Sequence, residues 1–158
     1  MEKIFEEKQK FTQWWLWVIL LFFPIFSVTP FADYGDNGIN LYFVLIGISI
    51  PLIFYLFELR TFVTSEGLNY QFFPFHLKTH IIKVDEIEKI ESLQYKPLGD
   101  YGGWGIRYGF KGKAYNVSGN KGVKVYLSNE RNILFGSKKY IELEKALKKV
   151  YKEKQQRN

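Results

Sequence analysis

The sequence predicts an α+β protein in which a hairpin of two apolar helices precedes a bent antiparallel sheet that is closed by an amphipathic C-terminal helix. The first observation is a pair of stretches without a charged residue, 11–32 and 37–57, which predict the two helices. The second is a series of short runs after residue 60 in which apolar and polar residues alternate, as they do in strands. The third is a helical periodicity after Gly136. We expect two domains, residues 1–58 and 59–158.

The two uncharged stretches are 22 and 21 residues long. About 20 residues at a rise of ~1.5 Å each cross the ~30 Å hydrocarbon core of a bilayer. The segment 32–38 between them, ADYGDNG, is rich in turn-forming residues. We therefore expect a transmembrane helical hairpin with spans at about 12–32 and 38–57. The length of the first run and its three tryptophans favour an uncleaved helix over a signal peptide.

The charged residues around the hairpin predict its orientation. The linker contains Asp33 and Asp36 but no lysine or arginine, whereas four basic residues flank the other side: Lys3, Lys8, Lys10 and Arg60. The positive-inside rule then places both termini in the cytoplasm, in a multi-pass protein of the plasma membrane. Because neither span contains an ionisable residue, a channel or transporter is disfavoured.

Aromatic and basic residues at the ends of the hairpin predict a membrane interface. Tryptophan prefers the headgroup level of a bilayer, and long basic side chains reach toward it. The residues assigned to this interface are Trp14, Trp15, Trp17 and Arg60.

The segment after residue 60 predicts about seven short strands separated by turns of Gly, Asn, Pro and Lys. The runs are 61–64, 68–73, a segment around 81–84 that leads into 87–95, then 104–108, 114–118, 123–127 and 132–135. After Gly136, Ser137 is expected to cap a helix whose apolar face carries Tyr140, Leu143, Leu147 and Val150. Residues 138–157 of this helix contain eight basic and three acidic residues, which predict a solvated face or, alternatively, contact with anionic lipid.

Three short motifs carry a family resemblance: GGWGIR at 102–107, GNKGV at 119–123 and FGS at 135–137. Together with an N-terminal helical hairpin and a final helix, they resemble the bacterial pleckstrin-homology-like (PH-like) membrane proteins. The resemblance implies a cytoplasmic PH-like domain, a seven-stranded bent antiparallel sheet or barrel closed by the C-terminal helix. It implies no active site, because most such proteins lack an assigned ligand.

The stretch YGGWGIRYG at 101–109 raises the question of a phosphate-binding loop. A dinucleotide fingerprint needs a third glycine where Tyr108 stands, and a helix rather than a strand after it. We therefore interpret the stretch as a loop that runs into a strand. Its alternative role is a recognition edge made by Tyr101, Trp104, Arg107 and the loop 97–103, since Trp and Arg are enriched in binding hot spots.

The composition narrows the function further. The absence of cysteine excludes thiol nucleophiles and thiolate metal sites, and His76 and His80 are expected to be a solvated loop pair without a third metal ligand. No catalytic or nucleic-acid-binding motif is present, so we expect neither an enzyme nor a nucleic-acid partner, and no metal or cofactor.

We expect a membrane-anchored interaction module that acts as a scaffold or assembly factor and binds a protein partner, a second copy of the chain or membrane lipid. The basic charge of residues 58–158, with 19 Lys and Arg against 11 Asp and Glu, leaves an alternative open. In that alternative the chain is a sensor or accessory subunit for a small anionic ligand or a phospholipid headgroup. The candidate contacts for the anion are Arg107, Lys121 and Lys124.

Overall fold

The computed structural model describes residues 2–28, 41–109 and 111–156. The chain forms two compact units: unit 1 comprises Met1–Lys10 and Glu58–Asn158, and unit 2 comprises Phe11–Phe57. The first ten residues therefore belong with the sheets, whereas the sequence placed them with the hairpin.

The first sheet of unit 1 contains four strands in the order in which they occur along the chain. They are β1 (Phe5–Lys10), β2 (Glu58–Thr64), β3 (Gly67–Phe73) and β4 (His80–Lys83), and every neighbouring pair is antiparallel. In the β1–β2 pair Phe5 lies opposite Val63 and Lys10 lies opposite Glu58. Unit 2 is thus inserted in the sequence between two strands that are hydrogen-bonded partners.

The second sheet contains five strands in the spatial order β5-β8-β9-β7-β6. They are β5 (Ile87–Gln94), β6 (Gly105–Gly109), β7 (Gly112–Asn116), β8 (Lys121–Leu127) and β9 (Asn132–Gly136). All pairs are antiparallel except β7 and β9, which run parallel. A 3₁₀ turn at Val84–Glu86 separates β4 from β5, and a short helix α3 (Pro97–Tyr101) precedes β6.

The last helix, α4 (Tyr140–Gln155), contacts both sheets and buries Leu143, Ala146, Leu147 and Val150. Three residues of the predicted apolar face, Leu143, Leu147 and Val150, are thus buried, whereas Tyr140 is only half-buried. Burial of the aliphatic side chains is the main source of stability for such a helix. The predicted cap is wrong. Lys139 occupies the N-cap position without a side-chain hydrogen bond, and the Ser137 hydroxyl donates to Glu7 Oε2 instead, at 2.6 Å.

The architecture of unit 1 differs from the predicted fold. The described residues form nine strands in two sheets with one parallel pair, rather than a single bent antiparallel sheet or barrel of seven strands. Two features account for the difference. β1 adds a strand that the sequence pattern did not show, and the 3₁₀ turn at Val84–Glu86 interrupts what was taken as one continuous segment, so that β4 and β5 join different sheets.

Unit 2 contains α1 (Trp14–Val28) and α2 (Leu41–Leu56), which are 15 and 16 residues long. Within the described ranges, no helix combines the length and apolar character that crossing a membrane requires. The predicted transmembrane hairpin, its two spans and the multi-pass membrane location are therefore contradicted. The linker 32–38, whose Asp33 and Asp36 were part of the basis for the predicted orientation, lies outside the described residues.

The start of α1 does not coincide with the start of its uncharged run. The chain does not become helical until Trp14. Before that point, the Phe11 ring packs edge-on against Phe54 at 5.7 Å between ring centroids, and the Phe11 carbonyl accepts a hydrogen bond of 2.8 Å from the Trp17 indole N–H. The uncharged run used to predict the helix therefore includes a non-helical segment, residues 11–13, at its start.

Candidate functional site

An open cleft of about 730 Å³ lies in unit 1 at the end of β5. Its lining combines apolar side chains with two amides and one cation: Gln94, Tyr95, Lys96, Pro97, Leu98, Gly99, Trp104 and Asn120. The volume falls within the range of about 300–1,000 Å³ that is usual for ligand pockets. The cleft includes Trp104 and part of the loop 97–103, which the sequence singled out as a recognition edge.

The Trp104 side chain is held in a fixed position at this cleft. Gly102 takes the left-handed conformation that ends α3, with φ 72°, and Gly105 has φ 115°. Both conformations are readily available only to glycine, and they turn the chain sharply from α3 into β6. The Trp104 indole N–H then donates to the Gly119 carbonyl oxygen at 3.0 Å. The ring is thereby tied to the β7–β8 turn, beside Leu98, whose side chain is 69% exposed.

The floor of the cleft is a buried polar network. The Tyr95 hydroxyl accepts a hydrogen bond of 3.1 Å from Asn116 Nδ2, and Asn116 Oδ1 accepts one of 2.9 Å from the Gly105 N–H. Burial raises the pKa of Tyr95 to about 12, so the phenol stays neutral at physiological pH. Satisfied buried networks of this kind make a site rigid.

Tyr101 lies beneath the cleft rather than on its surface. It is only 4% exposed and packs edge-on against Tyr95 at 5.8 Å between ring centroids. Since a side chain so buried cannot contact a partner directly, Tyr101 supports the cleft from below. Of the two aromatic residues predicted at this edge, the structure places Trp104 at the surface and Tyr101 in the core.

Ion pairing fixes the short helix that forms one wall. Asp100 Oδ2 accepts a hydrogen bond of 2.9 Å from the Lys96 backbone N–H, and Asp100 Oδ1 pairs with Lys111 Nζ at 2.9 Å. These two contacts lower the pKa of Asp100. The negative charge of Asp100 is therefore compensated within the protein, by Lys111. Among the residues that line the cleft, only Lys96 has a charged side chain.

The three cations proposed for an anionic ligand contact different parts of unit 1. Arg107 Nε donates to the Trp104 carbonyl at 2.8 Å. Lys121 lies opposite Gln94 in the β5–β8 register, and its ammonium lies 5.2 Å from the centre of the Tyr140 ring. Lys124 Nζ donates to the Lys111 carbonyl at 2.9 Å, and burial together with the charge of Lys111 lowers the pKa of Lys124. These contacts do not converge on one anion.

The residues assigned to an interface on the hairpin have separate environments. In unit 2, Trp14 is 77% and Trp15 is 39% exposed, while the Trp17 indole is bonded to Phe11. Arg60 lies in unit 1, where Arg60 Nη2 pairs with Glu6 Oε1 at 2.6 Å. Hydrogen bonds from Lys3 and Arg60 lower the pKa of Glu6. Arg60 is thus engaged with its neighbouring strand.

Unit 2 exposes a large apolar surface. Leu20 faces inward, but most other described aliphatic and aromatic side chains of α1 and α2 are exposed, including Val18, Ile19, Leu21, Phe22, Phe23, Ile25, Leu45, Ile46, Ile48, Leu52, Ile53 and Leu56. Exposed apolar patches of this extent mark an interaction surface or a tendency to aggregate.

Sequence reasoning missed a cluster of imidazole, phenol and ammonium groups in unit 1. The rings of His76 and His80 lie 4.4 Å apart between centroids, His80 stacks on Tyr70 at 5.5 Å, and His76 meets Tyr115 edge-on at 5.4 Å. His76 is not fully solvated, because it is half-buried and its Nδ1 accepts a hydrogen bond of 3.3 Å from the Phe72 N–H. The pairing of β3 with β4 places His80 opposite Tyr70, and no local sequence pattern signals this contact.

No model of a known protein family matches this chain, and no curated protein matches it. The resemblance to the bacterial PH-like proteins therefore stays a prediction.

Proposed function

We propose that this chain is a protein-interaction module that holds a short segment of a partner protein in the cleft at Trp104. The observation that carries the proposal is the fixed Trp104 indole at the mouth of the cleft, next to the exposed Leu98. A rigid aromatic anchor beside an exposed aliphatic side chain is the arrangement of a binding hot spot. The buried network beneath it reduces the entropy that binding would otherwise cost.

The lining indicates the chemistry of the partner segment. Trp104, Leu98 and Pro97 offer apolar surface, so an aliphatic or aromatic side chain would occupy the cleft. Lys96 is charged and exposed, which favours a carboxylate in the same segment. The amides of Gln94 and Asn120 can donate to and accept from a peptide backbone. The preferred segment therefore carries an apolar residue close to Asp or Glu.

The exposed apolar helices of unit 2 support the same class of function. An apolar surface of this extent is better explained by contact with other molecules than by a monomer that functions without a partner. A chain with one specific cleft and one broad apolar surface fits a scaffold that brings components together.

Photo-crosslinking tests the proposal. A photoreactive amino acid at position 98 in the full chain, expressed in its native cells, should capture a discrete partner segment that mass spectrometry can identify. The same probe at Leu77, which is 79% exposed in the loop before β4, provides the control position. A synthetic peptide of the captured segment should then bind the full chain.

Affinity measurements on variants complete the test. Trp104→Ala should weaken binding of that peptide by roughly 30-fold or more, as loss of a hot-spot residue does. Leu98→Ala should weaken it less, and Leu77→Ala should leave it unchanged. Equal affinity for Trp104→Ala and the unaltered chain would rule the cleft out, as would capture of the same segments from positions 98 and 77.

A further inference from the structure

The cluster around His76 and Lys113 is a second polar site, distinct from the Trp104 cleft. Lys113 lies on β7, and its ammonium is 4.8 Å from the centre of the Tyr115 ring and 5.0 Å from that of Tyr108. His76 meets Tyr115 edge-on and lies next to His80. The two sheets of unit 1 thus bring one ammonium and two imidazoles together from β7, from the loop before β4 and from β4 itself.

The base of this cluster is aromatic and rigid. Tyr70 packs against Tyr115 and Phe135 at 4.9 and 5.0 Å between ring centroids, and Tyr115 stacks on Phe135 at 5.6 Å. Tyr115 is 1% exposed and Phe135 is fully buried. Because an apolar base lowers the local dielectric constant, charges at its rim interact more strongly than they would in open water.

The charge at the cluster is positive and uncompensated. The sequence contains no Asp or Glu in 67–84 or in 101–129, the segments that supply β3, β4, β6 and β7, whereas Lys78, Lys83, Arg107 and Lys113 lie there. Among the described residues no carboxylate pairs with Lys113, His76 or His80. Burial, the neighbouring His80 and the charge of Lys113 lower the pKa of His76. Burial acts to lower the pKa of Lys113 as well, but its hydrogen bonds to Tyr108 and Tyr115 outweigh burial and raise that pKa.

We propose that Lys113, His76 and His80 form a binding site for a small oxyanion of the phosphate class. The ammonium supplies charge and the imidazole N–H groups supply directional donors. The Tyr108 hydroxyl is hydrogen-bonded to the ammonium, so its own O–H is an additional donor. His76 Nδ1 already accepts from Phe72, so its proton is carried on Nε2, the nitrogen available to an anion. An oxyanion provides the negative charge that the protein itself does not place here.

The experiment uses the full chain in a mild non-ionic detergent that covers the exposed apolar helices. The chain contains only two histidines, so selective labelling of histidine allows the ring signals of His76 and His80 to be followed by NMR without overlap from other residues. Sulfate is the first probe because it remains a dianion across the pH range used. Both histidine signals should shift in a saturable manner as sulfate is added.

Substitutions distinguish sulfate binding at a defined site from non-specific electrostatic binding of sulfate to a basic protein. Lys113→Gln should weaken sulfate binding by about tenfold, the loss expected for one charge-assisted interaction. Lys149→Gln removes an equal charge from an exposed position on α4 and should change nothing. His80→Ala, at an exposed position, provides a second variant that should fold normally and also bind sulfate more weakly.

The source of the oxyanion is distinguished with further probes. Inorganic phosphate and O-phosphoserine form one arm, and phosphatidic acid in mixed micelles with the same detergent forms the other. A lower Kd in one arm assigns the ligand to free phosphate compounds or to a lipid headgroup. Histidine signals that do not move with any probe, or an equal loss of affinity in Lys113→Gln and Lys149→Gln, would overturn the proposal.

Discussion

The Ser137 hydroxyl donates a hydrogen bond of 2.6 Å to Glu7 Oε2, between residues 130 positions apart in the sequence. The second carboxylate oxygen, Oε1, accepts from the Lys138 backbone N–H at 3.1 Å. Glu7 is buried at 7% exposure on the inward face of β1, and both of its oxygens are used at the point where the chain enters α4. A single side chain therefore ties the first strand to the last helix of unit 1.

Replacing Glu7 with alanine should destabilise unit 1 markedly. The change leaves the buried Ser137 hydroxyl and the Lys138 N–H without an acceptor, which costs about 2–3 kcal/mol of unfolding free energy. Urea denaturation followed by tryptophan fluorescence and circular dichroism measures the effect.

Glu6→Ala is the matched control because Glu6 is the neighbouring carboxylate on the opposite face of β1. Its ion pairs with Lys3 and Arg60 are partly exposed, and such pairs contribute at most ~1 kcal/mol. Equal destabilisation by the two substitutions would show that burial of Glu7 does not matter.

This relationship also explains what the sequence could not predict. The eight strands β2 to β9 overlap runs in which apolar and polar residues alternate or in which β-branched residues cluster. β1 escaped notice because its inward positions carry Phe5, Glu7 and Gln9. A period of two is visible in the sequence only when the buried face of a strand is apolar. On β1 the buried polar side chains bond to residues far away in the sequence, as Gln9 Nε2 does to the Gly136 carbonyl at 2.8 Å.

The candidate sites, like β1, could be predicted only as far as local sequence patterns determine them. Glycine spacing located the loop that carries Trp104, because the need for positive φ is a local property. The burial of Tyr101 depends on how α3 packs on Tyr95, which is a tertiary property, so two aromatic residues three positions apart looked alike. The histidine cluster needs the pairing of β3 with β4 and the approach of β7 from the other sheet. No local pattern contains that information.

Excising unit 2 should leave a folded unit 1. Because Lys10 lies opposite Glu58 in the β1–β2 pair, residues 11–57 can be replaced by an Asn-Gly turn that joins the two strands as a hairpin. The shortened chain should be monodisperse without detergent, whereas the full chain should self-associate through its exposed apolar helices. Light scattering after size-exclusion chromatography measures both.

The matched control keeps unit 2 and lengthens only the connection after Lys10 by an inserted Gly-Ser pair. Self-association should persist in this control, since the apolar helices remain. A shortened chain that aggregates as the full chain does would show that the associating surface lies in unit 1.

Tyr95 should make stability depend on pH in the alkaline range. Its pKa is raised from 10.0 to about 12 in the folded protein. A pKa raised by folding contributes to the free energy of unfolding. This contribution is complete below pH 10 and is lost between about pH 10 and 12, because the unfolded chain releases its proton first. At pH 11 the loss is about 1 kcal/mol. Burial also raises the pKa of Tyr70, which adds to the same decline.

Tyr95→Phe isolates the contribution of this residue. The variant loses the acceptor for Asn116 Nδ2, which should cost about 1 kcal/mol at pH 8. Its unfolding free energy should then fall less steeply than that of the unaltered chain between pH 8 and pH 11, measured by urea denaturation at both values. Parallel declines in the two proteins would mean that Tyr95 does not titrate in this manner.

Gly109 should prove essential to the shape of the Trp104 cleft although it does not line it. A Cβ added at Gly109 would lie 3.0 Å from Tyr101 Cα and in closer collision with the Asp100 carbonyl oxygen, both of which belong to the backbone of α3. Gly109→Ala must therefore displace the wall of the cleft, and overpacking of this kind costs about 1–3 kcal/mol.

At Gly99 the added Cβ would meet only Lys96 Cβ at 3.6 Å, an ordinary contact, so Gly99→Ala should change stability by less than about 0.5 kcal/mol. Thermal unfolding and the fluorescence maximum of the tryptophans, compared between the two variants, measure the difference, and an unchanged melting temperature in Gly109→Ala would show that α3 can move away without loss.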